Sequence, residues 1–216
     1  MNTKNKTKAI VILGLMTAMV MLFSFTPIGS IPITPMLVIT LNVIPVAITA
    51  IALGPVGGLV MGSIFGIMSF LQCFGIGIPS KMGAALVSIN PVLAFIQRFV
   101  PRALDGFLVG LIHKGLSKKI GGSASSFISG FLTALLNTAF FMGALVLLFG
   151  NTDYIKGLFE SIGQEQTFVG TLVFICLFVG INAVLEMIVN TVVCGGVGTA
   201  LYQSHILPLD QKSESK

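Results

Sequence analysis

Four charged side chains stand in stretches that are otherwise apolar: Arg98, Arg102, Asp105 and Glu186. A charge in such a setting is costly and is usually functional. Arg98 and Arg102 are spaced to share a helical face, and Asp105 follows Arg102 by one turn and can pair with it. Glu186 has Asn182 and Asn190 one turn to either side, a polar stripe that must turn away from lipid. One reading is structural: Arg102, Asp105 and Glu186 neutralise one another and tie two helices together. Arg98 has no obvious partner of its own. Its planar fork suits a carboxylate, so a cavity reaching it would attract an anion; an ion pair or snorkelling to the interface are the alternatives. Asn90, Asn137, Asn182, Gln72 and Gln97 can serve the polar groups of such a ligand, or bond across helices. Lys81 is a further cation nearby, or an ordinary loop lysine.

Binding, and no catalysis, is what these residues support. The sequence has no GxxxxGK[ST] loop, so ATP is not held here in that way. HExxH and GxSxG are missing too. Cys73, Cys176 and Cys194 lie singly in apolar segments and read as small buried residues. No cofactor or metal is expected. His113 and His205 fall near expected helix ends and read as interface residues.

The elements that must position these groups follow from composition. Hydrophobic residues make up 55% of the 216 and charged ones 9%, and mean hydropathy is +1.01. Soluble domains carry about 25% charged residues, so lipid must replace much of the solvent. No charged residue or histidine occurs from 9 to 80, from 120 to 152 or from 166 to 185. These runs are continuous rather than alternating, which excludes barrel strands and leaves helices. The expectation is an all-α membrane protein, a single domain over 1–216 with an ordered core of about 8–203. Six spans are expected at about 8–25, 36–53, 56–74, 92–114, 127–149 and 167–202. The first is read as a span and not as a cleaved leader. Pro45 is expected to kink the second, and Gly54-Pro55 to turn the chain between the second and third.

Between the first two spans lies an apolar stretch, 26–35, with three prolines that exclude a helix. It reads as a lid packed back on the bundle. Residues 75–91 and 150–166 read as loops, 117–126 as a polar connector, and 208–216 as a polar tail. Lys4, Lys6, Lys8, Lys114, Lys118, Lys119, Lys212 and Lys216 share one side of this layout, while Lys81 and Lys156 face the other. The positive-inside bias then places both termini in the cytoplasm of a multi-pass cell-membrane protein. The same distribution explains the net charge of +5 and excludes a nucleic-acid partner.

Several short motifs occur in a telling order: a lysine-tipped first span, Leu53-Gly-Pro-Val-Gly-Gly58, Ser88-Ile-Asn-Pro91, Val100-Pro-Arg-Ala-Leu-Asp-Gly106, Asn137-Thr138 and Asn182 with Glu186. Over about residues 8–202 the chain resembles the substrate-binding (S) components of energy-coupling factor (ECF) transporters, most closely the pantothenate-specific type. The resemblance implies six helices and a vitamin site near the outer face. It also implies docking, through a small-xxx-small surface on helix one, onto a transmembrane coupling subunit driven by two cytoplasmic ATPases. Gly14 and Ala18 match that surface, where the family more often has alanine at both positions. Residues 26–35 and 75–91 match gating loops. Pantothenate would place its carboxylate on Arg98. Another B vitamin (riboflavin, a pyridoxine-like compound or cobalamin) is the alternative substrate, and a stand-alone secondary transporter using Glu186 the alternative class.

Overall fold

The computed structural model describes residues 3–34, 37–161, 163 and 167–204; the side chains of 3–5, 30–39, 168–169 and 171–182 lie outside that description. So do the expected tail, His205 and the side chains of Cys176 and Asn182. The elements are α1 (Thr3–Phe25), a 3-10 turn (Pro27–Gly29), β1 (Ser30–Thr34), β2 (Leu37–Thr40), α2 (Val43–Leu71), a second 3-10 turn (Gln72–Phe74), α3 (Lys81–Ile89), α4 (Pro91–Ile120), α5 (Gly122–Phe149), α6 (Asp153–Ser161) and α7 (Phe168–Gln203). Among the described residues, four segments are long and apolar enough to cross a bilayer: Lys6–Phe25, Val43–Phe74, Gly122–Phe149 and Ala183–Gln203. α4 has the length, at 30 residues, but Arg98, Arg102 and Asp105 interrupt its apolar character.

The lid expected at 26–35 is not helical, and it is more ordered than a loop. β1 and β2 pair antiparallel, Ser30 opposite Thr40 and Ile31 opposite Ile39, so the fold is not purely α. Pro32 is tolerated because a two-stranded ribbon is all edge. The ribbon forms a strap over α7, and Leu41 N–H closes its base by donating to Gly29 O at 3.0 Å.

The second expected span, 36–53, is helical only from Val43. Pro45 therefore falls in the first turn, where its missing N–H has no helical partner to lose, and it does not act as an internal kink. The break is at Gly54 (φ 72°, ψ −161°). There the chain turns back on itself. A Cβ on Gly57 would lie 3.3 Å from Thr49 O, and one on Gly58 would lie 3.0 Å from Ala50 Cβ. In a straight helix residues eight apart are about 12 Å apart, so 43–53 and 55–71 are an antiparallel pair, as Gly54-Pro55 led one to expect. Every residue from Val43 to Ile51 is buried, which marks the first half as the central element of the bundle.

Glycines set how closely the helices approach. Gly58 meets the Gly106 carbonyl, Gly62 the Arg102 carbonyl, and a Cβ on Gly66 would lie 2.9 Å from Phe99 Cα. Numbers rise on α2 as they fall on α4, so the pair is antiparallel and the backbones touch, as small residues permit in membranes. α5 and α7 make a second pair: Gly130 meets the Asn190 carbonyl, Gly195 the Phe127 ring and Gly198 the Ser126 side chain.

The connector expected at 117–126 shrinks to Gly121, which has φ 85°. Serines did not break the helices, because Ser117, Ser125 and Ser126 donate to carbonyls three or four residues back. The loops 75–91 and 150–166 each contain a helix. Ser80 caps α3 by accepting from Gly83 N at 3.1 Å. α6 is amphipathic, with Ile155 and Phe159 buried beside Leu86, Ala94, Met142, Leu145 and Phe149. α3 and α6 thus share an apolar core with one end of α4 and α5.

Gly62→Val is expected to destabilise the protein by about 1–3 kcal/mol, because the Arg102 carbonyl cannot move away. Gly14→Val, where a side chain meets open space, should leave stability unchanged. Thermal melts in detergent compare the two, and equal melting temperatures would contradict the α2–α4 contact.

Candidate functional site

α4 begins at Asn90, whose side-chain oxygen accepts from Val92 N at 3.0 Å and Leu93 N at 3.1 Å. Pro91 fills the first helical position, where no N–H is needed. Two turns further in, about 10 Å by helical rise, Arg98 points into the bundle and is 6% exposed. Its Nη2 donates to Ser80 Oγ at 3.1 Å and its Nη1 lies 3.5 Å from Ser69 Oγ. The guanidinium stands 5.0 Å from the centre of the Phe141 ring. Its Nε has no hydrogen-bond partner. Gly83 makes room for this arrangement: a Cβ there would lie 2.5 Å from Cys73 Sγ and 3.0 Å from Arg98 Nη2.

Arg102 lies one turn deeper. Its Nη1 donates to Arg98 O at 2.8 Å, and its guanidinium sits between Phe65 (4.5 Å) and Phe141 (4.8 Å). Both guanidinia therefore lie against the Phe141 ring. Such contacts are worth about 2 kcal/mol or more when desolvated. Arg102 Nε and Asp105 Oδ1 have no hydrogen-bond partner. Glu186 uses Oε1 to accept from the backbone N–H of Thr40 at 2.6 Å. The hydrogen bonds of Arg102 and Glu186 thus go to backbone groups, while Asp105 and Glu186 act on Arg102 through their charges. Asn190, beside Glu186, donates from Nδ2 to Glu186 O at 2.8 Å.

Around Phe141 two amides are incompletely used. Gln97 is fully buried; its Nε2 lies 3.4 Å from Phe141 O, and its Oε1 has no partner. Asn137 is one turn before Phe141 on α5, and its buried Oδ1 has no partner either. Buried polar atoms normally find partners. Here Arg98 Nε, Arg102 Nε and Gln97 Oε1 on α4, all on residues that meet Phe141, and Asn137 Oδ1 one turn before Phe141 on α5, are without partners. Such a cluster is ready to accept a polar ligand that brings both an anion and hydrogen-bond donors.

Of the candidates from sequence, Arg98, Gln97 and Arg102 meet at Phe141, and Asn137 is one turn before that ring on α5. Asn90 is spent on its cap, and Gln72 Nε2 donates to Ser24 O at 3.3 Å. Lys81 is exposed at the start of α3. Gly14 and Ala18 are both exposed on α1, within a face that also shows Ile10, Val11, Leu15, Met21 and Leu22. Sequence reasoning missed Ser69, Ser80, Gly83 and Phe141. The only signal for Phe141 was its place one turn beyond Asn137, and for Ser80 its position ahead of a helix. A cleft of about 490 Å³ opens nearby between α3 and α6, lined by Ala85, Ser88, Ile89, Asn151, Thr152, Asp153 and Tyr154. At the other end of α4, His113 is not an interface residue but buried: Nδ1 is 2.9 Å from Ser129 Oγ and Nε2 is 2.9 Å from Tyr202 OH.

A family model described as "ECF transporter, substrate-specific component" matches residues 8–197. No curated protein matches the chain.

Glu186→Ala removes the acceptor that holds the strap at Thr40, whereas Glu186→Gln keeps a carbonyl oxygen there. Loss of one such bond to a charged group is worth about 1.5–3 kcal/mol. Amide exchange at Thr40 should accelerate more than tenfold in the alanine variant and only slightly in the glutamine variant. Unchanged exchange in Glu186→Ala would mean that the bond does not hold the strap.

Proposed function

This chain belongs to the family of ECF transporter substrate-specific components, and from that premise we propose that it captures pantothenate at the outer face of the cell membrane. As a family member it is a substrate-binding transport subunit and not an enzyme, and it works with a coupling and ATPase module. The reading of pantothenate rests on one observation above all: a buried arginine, Arg98, that meets two serine hydroxyls, the Cys73 side chain and an aromatic ring but no carboxylate among the described residues, beside amide acceptors left open on Gln97 and Asn137. Pantothenate carries a carboxylate for the guanidinium. It also carries two hydroxyls and an amide N–H, which are donors for the open acceptors. Asn182, on α7, is the further amide assigned to the ligand; Asn90 and Gln72 support the site indirectly, through the α4 cap and Ser24, and Lys81 adds a cation at the start of α3.

The rest of the reading concerns topology and partners. Six spans follow if the two halves of α2 count separately and α4 and α7 each cross. The lysine distribution then favours cytoplasmic termini. On this orientation the strap, α3 and α6 cover the outer end of the site. Gly14 and Ala18 form the docking surface for the coupling subunit, and two ATPases complete the module. Their exposure on an apolar face supports that assignment. Arg102, Asp105 and Glu186 keep a structural role, Arg102 by fixing Phe141 and Glu186 by fixing the strap.

Isothermal titration of the purified chain with pantothenate, with riboflavin as control, tests the substrate. One-to-one binding of pantothenate alone is expected, and Asn137→Leu should weaken it about tenfold by leaving a ligand donor unpaired. Binding of riboflavin or another B vitamin instead would keep the class and overturn pantothenate.

A further inference from the structure

Pantothenate at Arg98 raises the question of what holds that guanidinium, and the inference here rests on that reading. Four hydrogen bonds run in series from it to the foot of the strap. Arg98 Nη2 donates to Ser80 Oγ at 3.1 Å. The Ser80 N–H donates to Gln72 O at 3.1 Å. Gln72 Nε2 donates to Ser24 O at 3.3 Å. Ser24 Oγ is 3.5 Å from Asn42 Oδ1. Ser24 is in the last turn of α1, and Asn42 immediately precedes α2. Both are 1% exposed, so water does not compete for these groups. The Ser24 carbonyl also accepts from Ile78 N at 3.0 Å. Gly77, at φ 83°, allows that approach, since a Cβ there would lie 2.5 Å from Ser24 O.

We propose that Gln72 is a positioning residue for the anion site, acting on Arg98 through Ser80 and tying the site to the end of α1 and the strap. Ser80 Oγ accepts from Arg98 and from Gly83 N at the same time. A carboxylate that draws the guanidinium toward itself therefore shifts Ser80. Gln72 is the next group in line, because its backbone holds Ser80 and its side chain holds Ser24. The strap hangs between Ser24 and Asn42, and its far strand is fastened to Glu186. Occupancy of the site and the fastening of the strap's foot at Ser24 and Asn42 are coupled through this one side chain.

The side-chain link can be cut without touching the backbone one. Gln72→Leu keeps the carbonyl that serves Ser80 and removes only the donor to Ser24. Ser80→Ala cuts the chain at its other end, without contact to Ser24. In the vitamin-free protein, amide exchange at Ile78 and at 40–42 should rise about five- to tenfold in each variant, the value of one hydrogen bond. Pantothenate should dissociate faster by a similar factor from Gln72→Leu, with association unchanged. The double variant should be no worse than the worse single one, since members of one chain are not additive. Unchanged exchange at Ile78 and 40–42 in Ser80→Ala, or additive effects in the double variant, would overturn the proposal. Absence of pantothenate binding in the wild-type protein would overturn the substrate and leave the exchange experiment to decide the coupling.

Discussion

Burying a guanidinium in an apolar bundle costs several kcal/mol unless its donors and its charge are met, and most of this structure can be read as the arrangement that meets that cost for Arg98. The nearest hydroxyls come from different places: Ser69 from α2 and Ser80 from the cap of α3. Ser69 is in reach only because Gly58, Gly62 and Gly66 let α2 lie directly on the backbone of α4. Ser80 is in reach only because Gly83 leaves room for the guanidinium against Cys73. Phe141 supplies a ring face from α5. Every element around the site therefore converges on one cation, and none offers it a carboxylate at hydrogen-bonding distance among the described residues.

That incomplete compensation suits a subunit whose task is to bind and then let go. A guanidinium closed by Asp or Glu would have little affinity left for an anion. One met by hydroxyls, a thiol and a ring keeps its charge available in a low-dielectric setting, where a carboxylate is worth more than in water. The tight glycine-lined pairs, α2 with α4 and α5 with α7, give a rigid frame. The short pieces join this frame at defined points: the strap through Glu186 and Gly29, α3 through Ser80, and α6 through Ile155 and Phe159. Membership in the ECF substrate-specific component family makes the chain a subunit that binds a small-molecule substrate and works with a coupling and ATPase module.

Much of this was legible in the sequence, for physical reasons. Charge-free runs specify membrane helices because lipid offers no other backbone solution. Gly54-Pro55 specified a reversal because φ is positive there and proline has no N–H to give. Arg98 stood out because a charge among apolar residues needs a reason. What was hidden depended on long-range contact. Asn90 and Gln72 looked like ligand groups, yet their amides are committed to the α4 cap and to Ser24. Phe141 drew no notice in the sequence, and its role shows only in the two arginines beside its ring. The strap read as a non-helical lid, without its strands, because strand pairing in a proline-rich segment leaves no periodic signal. His113 and Tyr202 meet across 89 residues, a pairing that no local pattern encodes.

The central claim is that the Arg98 guanidinium anchors the ligand's carboxylate, and a comparison of two ligands addresses it most directly. Pantothenate and panthenol differ only in that the carboxylate is replaced by a primary alcohol. Calorimetric titration of both into the wild-type protein and into Arg98→Ala gives four affinities. The account predicts that the wild type prefers pantothenate by about a hundredfold, as expected for a buried charge-assisted pair, and that Arg98→Ala loses most of this preference. A preference for pantothenate that survives in a folded Arg98→Ala protein would show that another group holds the carboxylate.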